Sequence, residues 1–487
     1  MMGKLLIGLI FLVPIVALIV HLLLPRRSTT PRFWLQTVMV LVWLGVSITL
    51  LATTTRPIVI MMGNWVAPFG ISLVIDQLAK VMLVVFAVVA TCISMYSLQD
   101  QELAKRHAGF YAGFWLLLLG ICGALMTADI FNLYVWFEVM LVSAFILLAC
   151  STQMKPRAMM HYATMNITGT LLMLLSIAFL YGVFGTLSYA GIAQQLTAQS
   201  SPWATAILCL FLFALGVKGA AFPLYFWLPT AYPHTSTSAT MLLSSLITKV
   251  VMVTLLRLAW LWPPLHAPFL SHSILVVALA TMFFGVMGAA NQFRFSAILS
   301  FHIVSQLGYI LLAIVLPLPL AIIAGAYFLI HNIFVKTALF MVAGAVKQRT
   351  GTDDLHQLGT LLKDHKALGI AFFIAAMSLA GFPPLSGFWA KFFVIKAALS
   401  AHFYWSAVVA IVVSLFTLYS MIKIWRYVFC EPASQPQPST PKTTGFSLAL
   451  YGALVPLLLL SILMGVWPDA ILHDLHPVLA QLPGGLV

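Results

Sequence analysis

Apolar runs of about twenty residues recur along the chain, parted by short polar breaks. A hydrocarbon core about 30 Å thick takes about 20 apolar residues per helix, so the pattern predicts about fourteen spans. They lie roughly at 4–24, 33–52, 76–98, 109–127, 129–150, 161–184, 204–231, 238–261, 273–290, 295–315, 320–345, 367–399, 403–428 and 446–467. Segment 53–75 is too broken for a helix. It alternates and carries Gly-Asn and Pro-Phe-Gly turn signals, which predicts a small hairpin. The stretch from Glu431, E-P-A-S-Q-P-Q-P-S-T-P-K, reads as a Pro-rich connector.

Two of the long runs are interrupted by proline. One is G-V-K-G-A-A-F-P-L-Y-F-W-L-P, from Gly216, with its break at Pro223. The other is S-L-A-G-F-P-P-L-S-G-F-W-A-K-F-F, from Ser378, with its break at Pro383 and Pro384. Each has a small residue, Phe-Pro, then Phe-Trp, and a lysine beside the break: Lys218 before the first, Lys391 after the second. Proline frees a helix carbonyl and kinks the axis, and freed backbone at membrane depth is tolerated inside protein or along a watery cavity. A matched pair about five spans apart is the mark of an internal repeat, and an odd spacing makes the second copy inverted. The chain 1–487 therefore reads as one all-α polytopic membrane domain. It has a first five-helix repeat over 109–261 and a second over 273–428.

Composition agrees: 62% of residues are hydrophobic, 7% are charged, and the mean hydropathy is +1.06, too apolar for a soluble domain of this length. The N-terminal run lacks a small-residue cleavage site and is long, so it reads as a first span rather than a signal peptide. The net charge of +13 would suggest a nucleic-acid partner, but its placement does not. Arg26, Arg27 and Arg32 follow the first span. Every second loop after that carries Lys105 and Arg106, Lys155 and Arg157, Arg294, then Lys347, Arg349, Lys363 and Lys366, then Arg426 and Lys442. The loop around His234 is uncharged, and the opposite loops carry little beyond Arg56. This positive-inside alternation puts both termini outside the cytoplasm. The five cysteines are scattered singly and read as small hydrophobes, with no metal spacing among them.

Against that background the ionisable residues inside spans stand out. Of 11 acidic residues, only Glu138 sits in the middle of an apolar run, at a cost of roughly 2.5–3.5 kcal/mol for a charge at bilayer depth. Lys218, Lys249, Lys336 and Lys391 are flanked by apolar residues on both sides, too far from either interface to snorkel easily. Lys396 and Lys423 lie near span ends, where snorkelling is the expectation, and Arg257 reads as an anchor at the end of its helix. Burial favours a neutral lysine and a nearby carboxylate favours a charged one, so a glutamate that approaches or withdraws can switch its partner. Static buried ion pairs are the competing reading. They run short of partners, since four lysines face one carboxylate. His302 and His331 are the histidines well inside spans. His331 and Lys336 share a helix but point about 140° apart. The in-span hydroxyls Thr164, Thr168, Ser244 and Thr248 read as helix-packing contacts, and no cluster of carboxylates and hydroxyls looks like a sodium cage.

These features resemble the antiporter-like membrane subunits of respiratory complex I, whose fold recurs in membrane-bound hydrogenases and Mrp-type sodium/proton antiporters. The stretches A-D-I-F-N-L-Y-V-W-F-E-V-M-L-V-S-A-F, from Ala128, and H-Y-A-T-M-N-I-T-G-T-L-L, with F-L-Y-G-V-F-G-T-L-S after it, look most like the D branch of the Mrp antiporters. The resemblance spans essentially the whole chain. It implies that Glu138 is the fifth-helix glutamate, Lys218 its partner in the broken seventh helix, and Lys249 the relay lysine of the eighth. It places His331 and Lys336 on the polar positions of the eleventh helix and Lys391 on the terminal ionisable position of the broken twelfth. One complex I branch has glutamate in place of Lys391 and histidine in place of Gln306, and His302 is the alternative polar group in that tenth helix. The chain also ends soon after the last span, without the long lateral helix of the largest family member.

The resemblance further implies a subunit with no cofactor and no metal, set among other membrane subunits of a hetero-oligomeric complex in the bacterial cell membrane. The function it implies is proton conduction within a sodium/proton antiporter. The alternatives are a proton-pumping subunit of a complex I-like or hydrogenase-like redox machine and a non-conducting scaffold.

Overall fold

Nearly every apolar run folds as a helix in the computed structural model, which describes residues 2–24, 29–65, 69–100, 107–198, 202–435 and 448–481. Helices α1 (Met2–Leu23) and α2 (Thr29–Thr53) pack together and are followed by the expected hairpin. Its strands, β1 (Ile58–Met61) and β2 (Ser72–Ile75), pair antiparallel with Ile58 opposite Ile75. Then come α3 (Gln77–Ser97), α4 (His107–Met126), α5 (Ile130–Ala149) and α6 (Pro156–Phe184). A short α7 (Tyr189–Ala198) precedes α8 (Pro202–Lys218), and the chain resumes after a break as α9 (Trp227–Ala231). The next span joins α10 (Thr237–Leu242) through a π-turn at Leu243–Ile247 to α11 (Thr248–Leu261). After α12 (Pro268–Asn291), α13 (Phe295–Val315) and α14 (Pro319–Thr350), a single turn, α15 (Leu361–Asp364), leads into α16 (Lys366–Ala380). A second break separates α16 from α17 (Ser386–Ser400). The chain ends with α18 (Tyr404–Trp425), α19 (Leu448–Val466) and α20 (Pro468–Gln481).

Among the described residues, 12 helices are long and apolar enough to cross a membrane. The predicted spans 204–231 and 367–399 are not continuous helices. Each is an apolar helix that stops short, at Lys218 and Ala380, with a further helical piece beyond. The Phe222–Pro223 and Pro383–Pro384 peptide bonds are cis. α7 and α20 were not anticipated, because neither is long or apolar enough to register as a span. The basic loop residues Arg26, Arg27, Lys105, Arg106 and Lys442, and most of the Pro-rich connector, lie outside the described residues.

Local signals fix the ends. α6, α12 and α14 open with a proline in the first turn, where its missing N–H costs nothing. Asp76 and Asp129 cap α3 and α5, accepting from Ala79 N at 2.7 Å and Asn132 N at 2.8 Å. The apolar windows of 237–261 and 319–350 are 100% buried and that of 295–315 is 94% buried, against 28% for 32–53. The spans that carry Lys249, His302, His331 and Lys336 therefore form the centre, and α2 lies on the rim.

Two contacts position the site. The residues just before α5 are stitched to the hairpin by Ala128 N to Ser72 O at 3.0 Å and to the start of α7 by Tyr189 N to Ala128 O at 2.9 Å. Arg257 is not an interfacial anchor, as its place near a helix end suggested. It is buried and donates to both carboxylate oxygens of Asp76 at 2.9 Å and to Leu125 O at 2.9 Å. That fork ties α11 to the cap of α3.

Candidate functional site

Glu138 projects from α5 with its side chain 34% exposed, so the residue that looked deepest in the sequence lies on the flank of the chain. Lys218, the last residue of α8, is buried and points at it, with Nζ 3.9 Å from Oε1. A third residue fills the gap. Lys218 Nζ donates to Thr170 Oγ1 at 2.7 Å, and Thr170 Oγ1 donates to Glu138 Oε1 at 2.7 Å. A hydroxyl is both donor and acceptor, so Thr170 makes a continuous hydrogen-bonded path between lysine and carboxylate. The Lys218 ammonium also sits 5.5 Å from the centre of the Phe137 ring.

Among the described residues, Lys249 has no carboxylate beside it. Its Nζ donates to Ser244 O at 2.5 Å and to Thr248 Oγ1 at 3.3 Å. Ser244 lies in the π-turn, an irregularity of the kind found at functional sites in helices. Ser244 and Thr248, expected as packing contacts, thus serve the lysine. The π-turn also reaches α14, where Ser245 Oγ and Thr337 Oγ1 are 2.7 Å apart. Lys336, fully buried, donates to Leu299 O at 3.3 Å and lies within electrostatic reach of Lys249 and Lys391. His331, on α14 as well, places Nδ1 2.8 Å from Ser386 Oγ.

Lys391 stands just past the second break. Its Nζ donates at 2.8 Å to Ala380 O, at the end of α16, and lies 5.5 Å from the centre of the Tyr309 ring. Helix α17 fits here because residue 387 is glycine: a Cβ on Gly387 would lie 1.7 Å from Ser378 O and 2.9 Å from His331 Cε1. His302 and Gln306 on α13 and Asn332 on α14 are buried with no protein hydrogen-bond partner on their side-chain polar atoms, among the described residues. Polar groups buried this way have capacity to bind water, and here they lie on and beside the helix that carries His331 and Lys336.

The structure thus brings Glu138 and Lys218 together and joins His331 to the second break. Lys249, Lys336 and Lys391 are buried on α11, α14 and α17, with α14 packed against both of the others, and His302 contacts none of them by hydrogen bond. Of the other cations, Lys396 is exposed, while Lys423 does not snorkel. Lys423 is buried and donates to Ala290 O at 2.7 Å and Gln292 O at 2.6 Å, closing the end of α12. Sequence reading missed Thr170, Tyr309 and the serines around the second break. A threonine or serine in an apolar run carries no local sign of what it faces. Among the described residues, no group of three or more His, Cys, Asp or Glu side chains could hold a metal ion.

The model of the family described as NADH:quinone oxidoreductase/Mrp antiporter, TM, matches residues 127–417, more than half of the chain and every position just described from Glu138 to Lys391. The chain belongs to this family. The D subunit of the sodium/proton antiporter of Alkalihalophilus pseudofirmus is 40% identical over 84% of this chain and 82% of its own length. That of Bacillus subtilis is 34% identical over 83% and 82%. A chain in the structure of an Mrp complex from a Dietzia species superposes with a TM-score of 0.88 at 29% identity, covering 99% of this chain and 98% of that one. Within the family, the resemblance is to the D branch of the antiporters.

Proposed function

We propose that this chain is a membrane subunit of a multisubunit sodium/proton antiporter and conducts protons, as a transporter rather than an enzyme. The observation that carries the reading is the Glu138–Thr170–Lys218 path, which couples one carboxylate to one lysine at the mouth of a line of buried lysines. When Glu138 is charged and near, Lys218 holds its proton. When Glu138 is neutralised or drawn away, that proton is released toward Lys249, and onward through Lys336 or His331 to Lys391. The bonds of Lys249 and Lys391 to main-chain oxygens at helix irregularities support the same reading, because such oxygens orient an ammonium without fixing a counter-charge.

The half-exposed Glu138 supports a neighbouring membrane subunit. A carboxylate facing lipid is costly, and its helix also exposes Phe131, Val135 and Val142. The surface around Glu138 is therefore read as the contact with the next subunit of the complex, in the bacterial cell membrane. The placement of the loop charges supports both termini lying outside the cytoplasm.

Ion flux through the whole complex, purified and reconstituted in liposomes, tests the assignment. Glu138→Ala and Lys218→Ala are each expected to abolish proton-coupled exchange while the complex still assembles. Exchange that persists in a fully assembled variant overturns conduction through this path and leaves a scaffold role.

A further inference from the structure

Three hydroxyls outside this relay meet beside His331. Ser378 lies near the end of α16, Ser386 opens α17, and Ser461 belongs to α19; all three are buried. Their Oγ atoms are 3.1 Å apart from Ser378 to Ser386, 2.9 Å from Ser378 to Ser461 and 2.8 Å from Ser386 to Ser461. Ser386 Oγ also stands 2.8 Å from His331 Nδ1. A serine or threonine within a helix commonly turns its hydroxyl back to the carbonyl four residues earlier. Ser47, Thr254, Ser300 and Thr417 do so here. The three serines face one another instead, and they come from both sides of the second break and from a separate span.

Counting protons gives the cluster a direction. Each hydroxyl supplies one proton and has lone pairs to accept others. Four contacts need four donated protons, and three hydroxyls supply three. The fourth is a proton on His331 Nδ1, donated to Ser386. On the other edge of the ring, Nε2 is buried with no protein partner among the described residues. The imidazole therefore has an open nitrogen on one edge and a hydroxyl chain on the other, the arrangement of a two-ended shuttle.

We infer that Ser386, Ser378 and Ser461 form a hydroxyl bridge that carries protons between His331 and α19. The inference rests on the relay reading above and sets the bridge in series with it, as the way out of His331. A proton arriving at Nε2 lets Nδ1 give its own to Ser386 Oγ. Ser386 in turn gives its proton to Ser461, directly or through Ser378, and the last hydroxyl releases one to water. Each transfer breaks one N–H or O–H bond and forms another, so one proton enters and one leaves. The imidazole is left with its proton on Nε2, and tautomerisation back to Nδ1 resets it for the next transfer.

Proton flux through the reconstituted whole complex tests the bridge, with Ser386→Ala, Ser461→Ala and Ser461→Thr measured beside Glu138→Ala. Ser386→Ala and Ser461→Ala are expected to slow flux about 100-fold, the lower end of what a positioned proton-transfer group contributes. Ser461→Thr keeps the hydroxyl and is expected to stay near the wild-type rate. If an alanine variant does not assemble, the cysteine replacement, similar in size and a weak donor, is held to the same expectation. Flux retained in the alanine or cysteine variants while Glu138→Ala is inactive overturns the bridge and leaves the relay standing. Ser461→Thr as slow as Ser461→Ala also overturns it, since packing then decides. Flux retained in Glu138→Ala as well overturns the relay reading itself.

Discussion

The two broken helices hold their lysines in opposite ways. Lys218 comes before its break and reaches a carboxylate through Thr170, while Lys391 comes after its break and reaches the carbonyl of Ala380. The other buried cations divide in the same two ways. On α11, Arg257 also has a carboxylate, Asp76. Lys249, Lys336 and Lys423 bond main-chain oxygens, as Lys391 does. A carboxylate can be protonated or can swing away, so its hold on a cation is adjustable. A peptide oxygen keeps its partial charge and its place. On this reading Glu138 and Lys218 set whether a proton is held, and the lysines beyond them pass it along.

The largest expected effect separates the two breaks by their packing. Gly387→Ala puts a Cβ 1.7 Å from the Ser378 carbonyl oxygen, a backbone atom that cannot step aside, so assembled complex should be lost from purified membranes. Gly216→Ala, beside the first break, meets nothing closer than Ala221 Cβ at 3.8 Å and should assemble normally. Equal yields of the two variants break the comparison.

Arginine substitutions probe the charges next. Arginine stays protonated, so neither Lys218→Arg nor Lys391→Arg should support proton flux. The Lys218→Arg variant retains Glu138 as partner and should leave complex yield intact. The Lys391→Arg variant buries a permanent charge with no carboxylate bonded to it and should reduce yield. Co-purification of the other subunits, read beside flux, distinguishes the two. The ion pair of Asp76 with Arg257 gives a stability counterpart. Asp76→Asn leaves Arg257 buried without its counter-charge, which costs about 3–5 kcal/mol. That cost should show as a lowered melting temperature of the solubilised complex, partly restored when Arg257→Met is added. The smallest effect falls on Thr170. Thr170→Ser keeps the hydroxyl and should conduct nearly as wild type. Thr170→Ala should slow flux several-fold and shrink the coupling between Glu138 and Lys218 in a double-mutant cycle by about 1 kcal/mol.

Much of the architecture was legible in the chain because the bilayer imposes it. Apolar runs, turn signals and proline breaks have local causes, and the hairpin and both interrupted spans fall where those signals stand. The charged positions of the site were legible for a related reason: Glu138 or Lys249 inside an apolar run is conspicuous wherever it packs. The hydroxyls were not. Thr170 bonds two ionisable groups while Thr164 and Thr168, on the same helix, are exposed, and nothing in their immediate sequence separates them. Arg257 was misjudged because its partner, Asp76, is 181 residues away and looked like an ordinary loop acid.

By itself, then, the sequence determined that the chain crosses a membrane many times, where two of its helices break, and which residues carry charge into the apolar interior. Each of these follows from the solvation of a side chain or peptide group within one segment. Only the tertiary structure decided which cation meets a carboxylate and which a carbonyl, that Glu138 stands on a flank, and that three serines converge on His331. Those outcomes depend on how helices distant in sequence face one another, and a hydrogen bond is made or lost within a fraction of an ångström.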